Sequence, residues 1–169
     1  MDLSKLLTQS DAPWTDALIT HPDVHDAMIL QEDYGSKESE TTAIMTYVFQ
    51  TYIITQMDET IAGIMEEIAI AEMVHHDKLG VMITQLGGNP VIGAKNGWWS
   101  GSYINYTRNI RDMLIHDIKS EQIAIENYKK TICKLNNDTI KEVIKRIILD
   151  EEVHIETFKV LLDYVTFWK

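Results

Sequence analysis

Two Glu-x-x-His tetrads, Glu72 to His75 and Glu151 to His154, sit inside stretches whose apolar residues recur with the helical period. A spacing of three stacks the carboxylate and the imidazole on one helix face. That face is otherwise apolar in both cases. Ile64, Met65 and Ile68 lead up to the first tetrad and Leu79, Met82 and Ile83 follow it; Val143, Ile144, Ile147 and Ile148 precede the second, and Phe158, Leu161 and Leu162 come after. Burying an ionised carboxylate alone among such neighbours costs several kcal/mol. Any fold that buries these stripes must therefore supply a counter-ion, a hydrogen-bond network or a metal at both tetrads.

The rest of the chain organises around those stripes. A helical pattern runs from about 28 to 57, with Ala43, Ile44, Tyr47 and Val48 on the same face as Glu40. Asp58 reads as the N-cap of a second helix over about 60–86, which the pair Gly87-Gly88 stops. Residues 87–106 hold five of the eight glycines, Pro90 and the run Trp98-Trp99-Ser100-Gly101-Ser102-Tyr103. A connection of that length lets the next helix start from the far end of a bundle, where a short one would make a hairpin. The two tryptophans are expected to cover core or an oligomer surface. A third helix over about 107–135 carries Leu114, Asp117, Ile118, Glu121, Ala124, Ile125 and Tyr128 on one face. Asn136-Asn137 reads as a tight turn, Asp138 as a cap, and the fourth helix continues almost to Trp168. Residues 1–28, with Pro13 and Pro22 and no sustained period, read as an N-terminal arm with a short helix packed on the body. Residues 29–169 read as one bundle domain of four helices of roughly 26 to 30 residues each. His21 and His25 in the arm read as solvated surface residues, and His116 as exposed.

Composition narrows the partners. A net charge of -11 and the absence of any lysine or arginine run argue against nucleic acid and anionic membranes. No apolar run is long enough to span a bilayer, and the start Met1-Asp2-Leu3-Ser4-Lys5 lacks the features of a signal peptide, so a cytoplasmic location is the expectation. With one cysteine, Cys133, a disulfide or an all-cysteine metal site is excluded, and a metal here must be held by carboxylate and imidazole. Cys133 itself is expected in the core.

The spacings then fix a geometry. Glu40 and Glu72 are equidistant from residue 56 at the first turn, and Glu121 and Glu151 from residue 136 at the second. In antiparallel hairpins each pair lies at one height, about 24 Å from its turn at 1.5 Å per residue. A tyrosine follows each lone glutamate by seven residues, Tyr47 after Glu40 and Tyr128 after Glu121. The chain reads as a divergent tandem repeat in which four glutamates and two histidines converge midway along the core. A glutamate from each of two helices plus Glu-x-x-His from each of the other two is the dinuclear carboxylate arrangement of ferritin-like bundles. Four negative charges suit two divalent cations, and iron or manganese fits mixed oxygen and nitrogen donors better than zinc.

Local sequence carries a resemblance as well. Glu32-Asp33-Tyr34-Gly35 leading into 40–50, the run Ile68 to His76, Leu86-Gly87-Gly88-Asn89-Pro90 with the Trp98-Trp99 loop, and Ser120 to Tyr128 with Ile147 to His154 resemble the ferritin-like superfamily. Within it the chain is most similar to manganese-catalase-like proteins, spore-coat relatives included, over residues 28 to 165. The resemblance implies an all-α, ferritin-like four-helix bundle with a long crossover between helices 2 and 3. It implies metal ligands at Glu40, Glu72, His75, Glu121, Glu151 and His154, the glutamates bridging or terminal, around two Fe or two Mn ions. Peroxide-reducing rubrerythrins carry a further glutamate where this chain has Ala124, and a cysteine-ligated iron domain besides. Those two departures argue against a strict rubrerythrin mechanism. The stop 15 residues after His154 leaves no room for the wrapping extension of long catalases and little for the fifth helix of cage ferritins.

The expectation is thus an oxidoreductase handling hydrogen peroxide or dioxygen, catalase-like or peroxidase-like, in a homo-oligomer, dimer or larger. Ferroxidase and iron handling, or a spore-associated structural protein with a vestigial site, are the alternatives. Around the ligands, Asp117 and Asp150 read either as acceptors that orient a histidine or as ordinary helix carboxylates. Tyr47 and Tyr128 are expected to pack with satisfied hydroxyls, hydrogen bonding to a glutamate being the other role. His76, about 100° around the helix from His75, is expected to bind no metal.

Overall fold

The computed structural model describes residues 3–167. Its α-helices are α1 (Val24–Gly35), α2 (Glu40–Ile54), α3 (Glu59–Gln85), α4 (Ile110–Lys134) and α5 (Asp138–Phe167). In the crossover, β1 (Gly93–Ala94) pairs antiparallel with β2 (Gly97–Trp98), and a 3-10 turn follows at Gly101–Tyr103. Trp168, at the expected end of the last helix, lies outside the described residues, as do Met1 and Asp2. Among the described residues no helix is long and apolar enough to cross a membrane.

Caps start the helices where the chain offers an acceptor. Asp58 accepts from the amides of Thr60 and Ile61, and Asn109 from that of Asp112. Before α5 the cap is Asn137, not Asp138: its Oδ1 accepts from the amides of Thr139 at 2.9 Å and Ile140 at 3.2 Å. Asp138 is already helical and pairs with Lys141 one turn on.

The four-helix bundle with its long crossover is present, but the first bundle helix is broken. The chain leaves the helix after Gly35 and re-enters at Glu40, and α1 begins at Val24, inside the segment expected to be arm. The two pieces together run along α3. Tyr34 stacks on His76 at 3.9 Å and touches Gly80, while Ala27 lies against Gly88. The crossover packs at the break: its Val91 and Gly93 carbonyls accept from Gln31 and lie against Gly35.

The core consists of two apolar clusters. One gathers Leu30, Leu79, Ile83, Leu135, Ile144 and Ile147; the other gathers Ile54, Met65, Ile68, Leu114, Phe158 and Leu161. On every bundle helix the chain passes from one cluster to the other across a polar step, at Glu40, Glu72, Glu121 and Glu151. The crossover therefore returns the chain along the length of the bundle, and α3 and α4 run parallel. Cys133 is exposed, contrary to expectation, because that turn of α4 buries Tyr128, Thr131 and Leu135, and Cys133 falls off their face. His21 and His25 are exposed, while His116 is half-buried against Asp117.

Candidate metal centre

Each polar step is created by the helix period itself, which turns one glutamate per helix into a stripe that is otherwise aliphatic. Glu40, Glu72, Glu121 and Glu151 are all less than 5% exposed, and both histidines are fully buried. His75 Nδ1 lies 2.8 Å from Glu72, 3.3 Å from Glu151 and 3.7 Å from Glu40. His154 Nδ1 lies 3.0 Å from Glu151, 3.2 Å from Glu72 and 3.6 Å from Glu121. The structure thus brings all six expected residues together, in two overlapping groups: Glu40, Glu72, His75 and Glu151, and Glu72, Glu121, Glu151 and His154. Within each group the donor atoms lie within 4.8 Å of one another, and Glu72 and Glu151 belong to both.

Both Nδ1 atoms point into the carboxylates, so the Nε2 atoms point out. His75 Nε2 donates to Asp150 Oδ2 at 3.0 Å, and Asp150 in turn is held by Arg146 Nη1 at 2.6 Å and the Ser10 amide at 2.6 Å. His154 Nε2 donates to the Thr8 carbonyl at 3.0 Å. Asp150 therefore orients a histidine and Asp117 does not: Asp117 accepts from Gln50 Nε2 at 2.8 Å and faces His116. The tyrosines do more than pack. Tyr47 donates to Glu121 and Tyr128 to Glu40, each reaching across to the other hairpin. His76 is half-buried beside Thr41, away from the glutamates. Sequence reasoning missed Thr8, Ser10, Arg146 and Gln50. Arg146, one turn before Asp150 on the same helix, was the one with a readable signal.

Protons, with no further protein cation in the layer among the described residues, balance its charges. Burial, then the charges of Glu72 and Glu151, hold Glu40 well above the usual carboxylate range; burial with Glu151 and Glu72 does the same to Glu121. Burial also pushes Glu72 up, but His154 and His75 outweigh it and hold that group well below the usual range. Burial pulls both imidazoles down, yet Glu151 on His75 and Glu72 on His154 raise them well above their ordinary value. Glu40 Oε2 and Glu72 Oε1 are buried with no hydrogen-bond donor. Two oxygens without donors, two inward Nδ1 atoms and a shared pair of carboxylates fit a pair of hard or borderline divalent cations.

One side of this layer is open and the other closed. A cavity of about 200 Å³ between α2 and α4 reaches all four glutamates and both tyrosines, passing Thr46, His116, Asp117 and Ala124. On the α3 and α5 side the N-terminal segment lies across the histidines. Trp99 pins the crossover to α2 by donating Nε1–H to Thr42 at 2.9 Å, whereas Trp98 is 76% exposed.

Comparison with known proteins gives a consistent picture. The family model described as Rubrerythrin matches residues 36–162. A probable manganese catalase of Clostridium acetobutylicum is 22% identical over 161 residues, covering 82% of this chain and 71% of that protein. Among solved structures, a manganese catalase from Anabaena superposes with a TM-score of 0.83 at 21% identity, covering 93% of this chain and 80% of the other. A bacterioferritin from Desulfovibrio desulfuricans, with a diiron site, superposes with a TM-score of 0.71 at 23% identity, covering 83% and 80%. The fold is a ferritin-like helical bundle.

Proposed function

The chain belongs to the rubrerythrin family, and from this together with the buried six-residue layer we propose that it is a dinuclear iron or manganese oxidoreductase acting on hydrogen peroxide or dioxygen. The observation that carries the reading is the sharing of Glu72 and Glu151 between two four-donor groups. That pair would bridge two ions, with Glu40 and His75 completing one position and Glu121 and His154 the other. Two adjacent ions of this kind supply the pair of electrons that cleavage of an O–O bond requires.

The protein's own groups do the rest. The shared glutamates and the four carboxylates together set the charge of the centre. Tyr47 and Tyr128 hold Glu121 and Glu40 in place by their hydroxyls, on the side where the cavity arrives. The two histidines keep Nδ1 inward because Asp150 and the Thr8 carbonyl hold Nε2–H outward. Aliphatic clusters keep bulk water from the layer above and below, leaving the α2–α4 cavity as the approach. A small, uncharged oxidant would enter through the α2–α4 cavity. The likeness to manganese catalases favours disproportionation of peroxide to water and dioxygen over one-way reduction. Exposed Trp98, Val24 and Met28 flank one groove on the crossover side and favour association with further copies of the chain.

The test is peroxide turnover by protein reconstituted with Mn(II) or Fe(II). Oxygen evolution well above that of a Glu72→Ala control is expected. Ferrous oxidation with hundreds of irons retained per assembly, and no peroxide turnover, would replace this reading with iron storage.

A further inference from the structure

The twofold repeat of the bundle is broken where the histidines are held. Asp150 stands next to Glu151 on α5 and accepts the Nε2–H of His75 on α3. The corresponding neighbour of Glu72 on α3 is Ala71, which is buried and has no acceptor to offer His154 on α5. The acceptor found there comes from outside the bundle: the Thr8 carbonyl, 146 residues away in the chain.

The segment that delivers this carbonyl is fastened to the two histidine-bearing helices at every step. Thr157 Oγ1 donates to the Leu7 carbonyl at 2.6 Å, and Thr8 Oγ1 to Glu67 at 3.3 Å. The Ser10 amide donates to Asp150, and Arg146 donates to the carbonyls of Ala12 at 2.6 Å and Ser10 at 2.8 Å. The Trp14 ring then lies 4.6 Å from the same guanidinium.

We propose that the N-terminal segment 7–14 is a working part of the metal centre: its Thr8 carbonyl takes the place of the carboxylate that α3 lacks, so that the two metal positions are unequal. This rests on the reading that the six side chains hold two ions. A carboxylate acceptor raises the basicity of a ligating imidazole more than a neutral carbonyl does, and loss of such a partner typically costs about 10- to 100-fold in metal affinity. His75, backed by Asp150, is the stronger donor. His154, backed by a neutral carbonyl of the N-terminal segment, is the weaker. The Glu121–His154 position therefore exchanges its ion first, and the coupling is reciprocal: an ion on Nδ1 would fix the ring's orientation, and with it the Nε2–H aimed at the Thr8 carbonyl, and so hold the segment down.

Full-length protein loaded with Mn(II) is mixed with excess chelator and the release of metal followed in time, while amide hydrogen exchange of residues 6–14 is measured with and without Mn(II). Release in two phases about tenfold or more apart is expected, with exchange of the segment slowed on loading. Thr157→Val, nearly isosteric, is expected to speed the fast phase severalfold and leave the slow one alone. Ala71→Asp, which gives α3 its own acceptor, is expected to slow the fast phase and to uncouple exchange of the segment from loading. Two ions leaving in one phase, with exchange of the segment indifferent to loading and to both substitutions, would overturn the inference and leave the two-ion reading standing. No uptake of Mn(II) or Fe(II) would overturn both.

Discussion

Removing one hydroxyl from this layer takes the donor away from a buried carboxylate oxygen. Tyr47→Phe does so at Glu121 and Tyr128→Phe at Glu40, and an unsatisfied buried acceptor costs about 1–3 kcal/mol. Chemical denaturation of the metal-free variants is expected to read a loss of that size in each, with the fold retained in far-ultraviolet circular dichroism. The seven-residue spacing of the tyrosines from the glutamates was legible, but their role was not, since a tyrosine that packs and one that donates occupy the same stripe. Asp33 offers a second test of a single group. Burial pushes its carboxyl up to about 7, against hydrogen bonding from Thr131 and the charge of Lys134. A folded value above the unfolded 3.8 means that its contribution to stability is fully present below about 4 and lost as pH rises through 7. A shift of that size corresponds to on the order of 4 kcal/mol. Asp33→Asn keeps an acceptor for Thr131 and removes the charge. Urea denaturation is expected to find it more stable than the parent at pH 8, with most of the advantage gone at pH 5.

Among the elements, the break between α1 and α2 decides how the crossover is seated. A Cβ on Gly35 would come within 2.7 Å of Gly93 N, 2.8 Å of its oxygen and 2.9 Å of the Val91 oxygen, all backbone atoms, the two oxygens held by Gln31. Gly35→Ala is therefore expected to destabilise by about 1–3 kcal/mol, as overpacking does, and to make residues 87–106 the first site of proteolysis. Gly63→Ala is the contrasting case. That glycine lies on the exposed face of α3 with nothing within 4 Å of a built Cβ, so alanine should stabilise by about 0.5–1 kcal/mol. Thermal melts of the two variants should move in opposite directions. The sequence carries a sign of the break that the continuous helical reading passed over: no apolar side chain stands between Tyr34 and Ala43, and Gly35 opens that polar run. Ser39 looks like a cap only in hindsight, and its hydroxyl donates back to the Ser36 carbonyl instead of accepting from the helix. What local periodicity holds no record of is the chain that packs there, the crossover sixty residues on from Gln31.

At the scale of the molecule, the meeting of six side chains was readable because helices convert residue number into height, and antiparallel pairing converts equal distances from a turn into contact. The Thr8 carbonyl was not, because every residue has one and no residue type marks its use. On the proposed two-ion reading the assembled layer would exchange protons for metal, and the sign follows from the shifts. His75 and His154 are held above the unfolded value of 6.5, so the stability they contribute is full below that pH and is lost as pH rises through their folded values. Glu40 and Glu121, raised above 4.5, act in the same direction. Glu72, held below 4.5, contributes above that pH and loses its share only in acid, so it leaves the neutral range flat. Metal-free protein should therefore melt at lower temperature at pH 8.5 than at pH 6. Ions need the same carboxylates and Nδ1 atoms stripped of protons, so their affinity rises over that interval, and the stabilisation they give grows as RT ln(1 + [L]/Kd). Melting curves with and without excess Mn(II) should accordingly diverge as pH rises, the gap at pH 8.5 exceeding that at pH 6. Glu72→Gln weakens the site that both ions share, and should close most of the gap at both pH values. A gap that stays constant with pH in the parent protein would mean that the ions bind without displacing these protons, and hence not on Glu40, His75, Glu121 and His154.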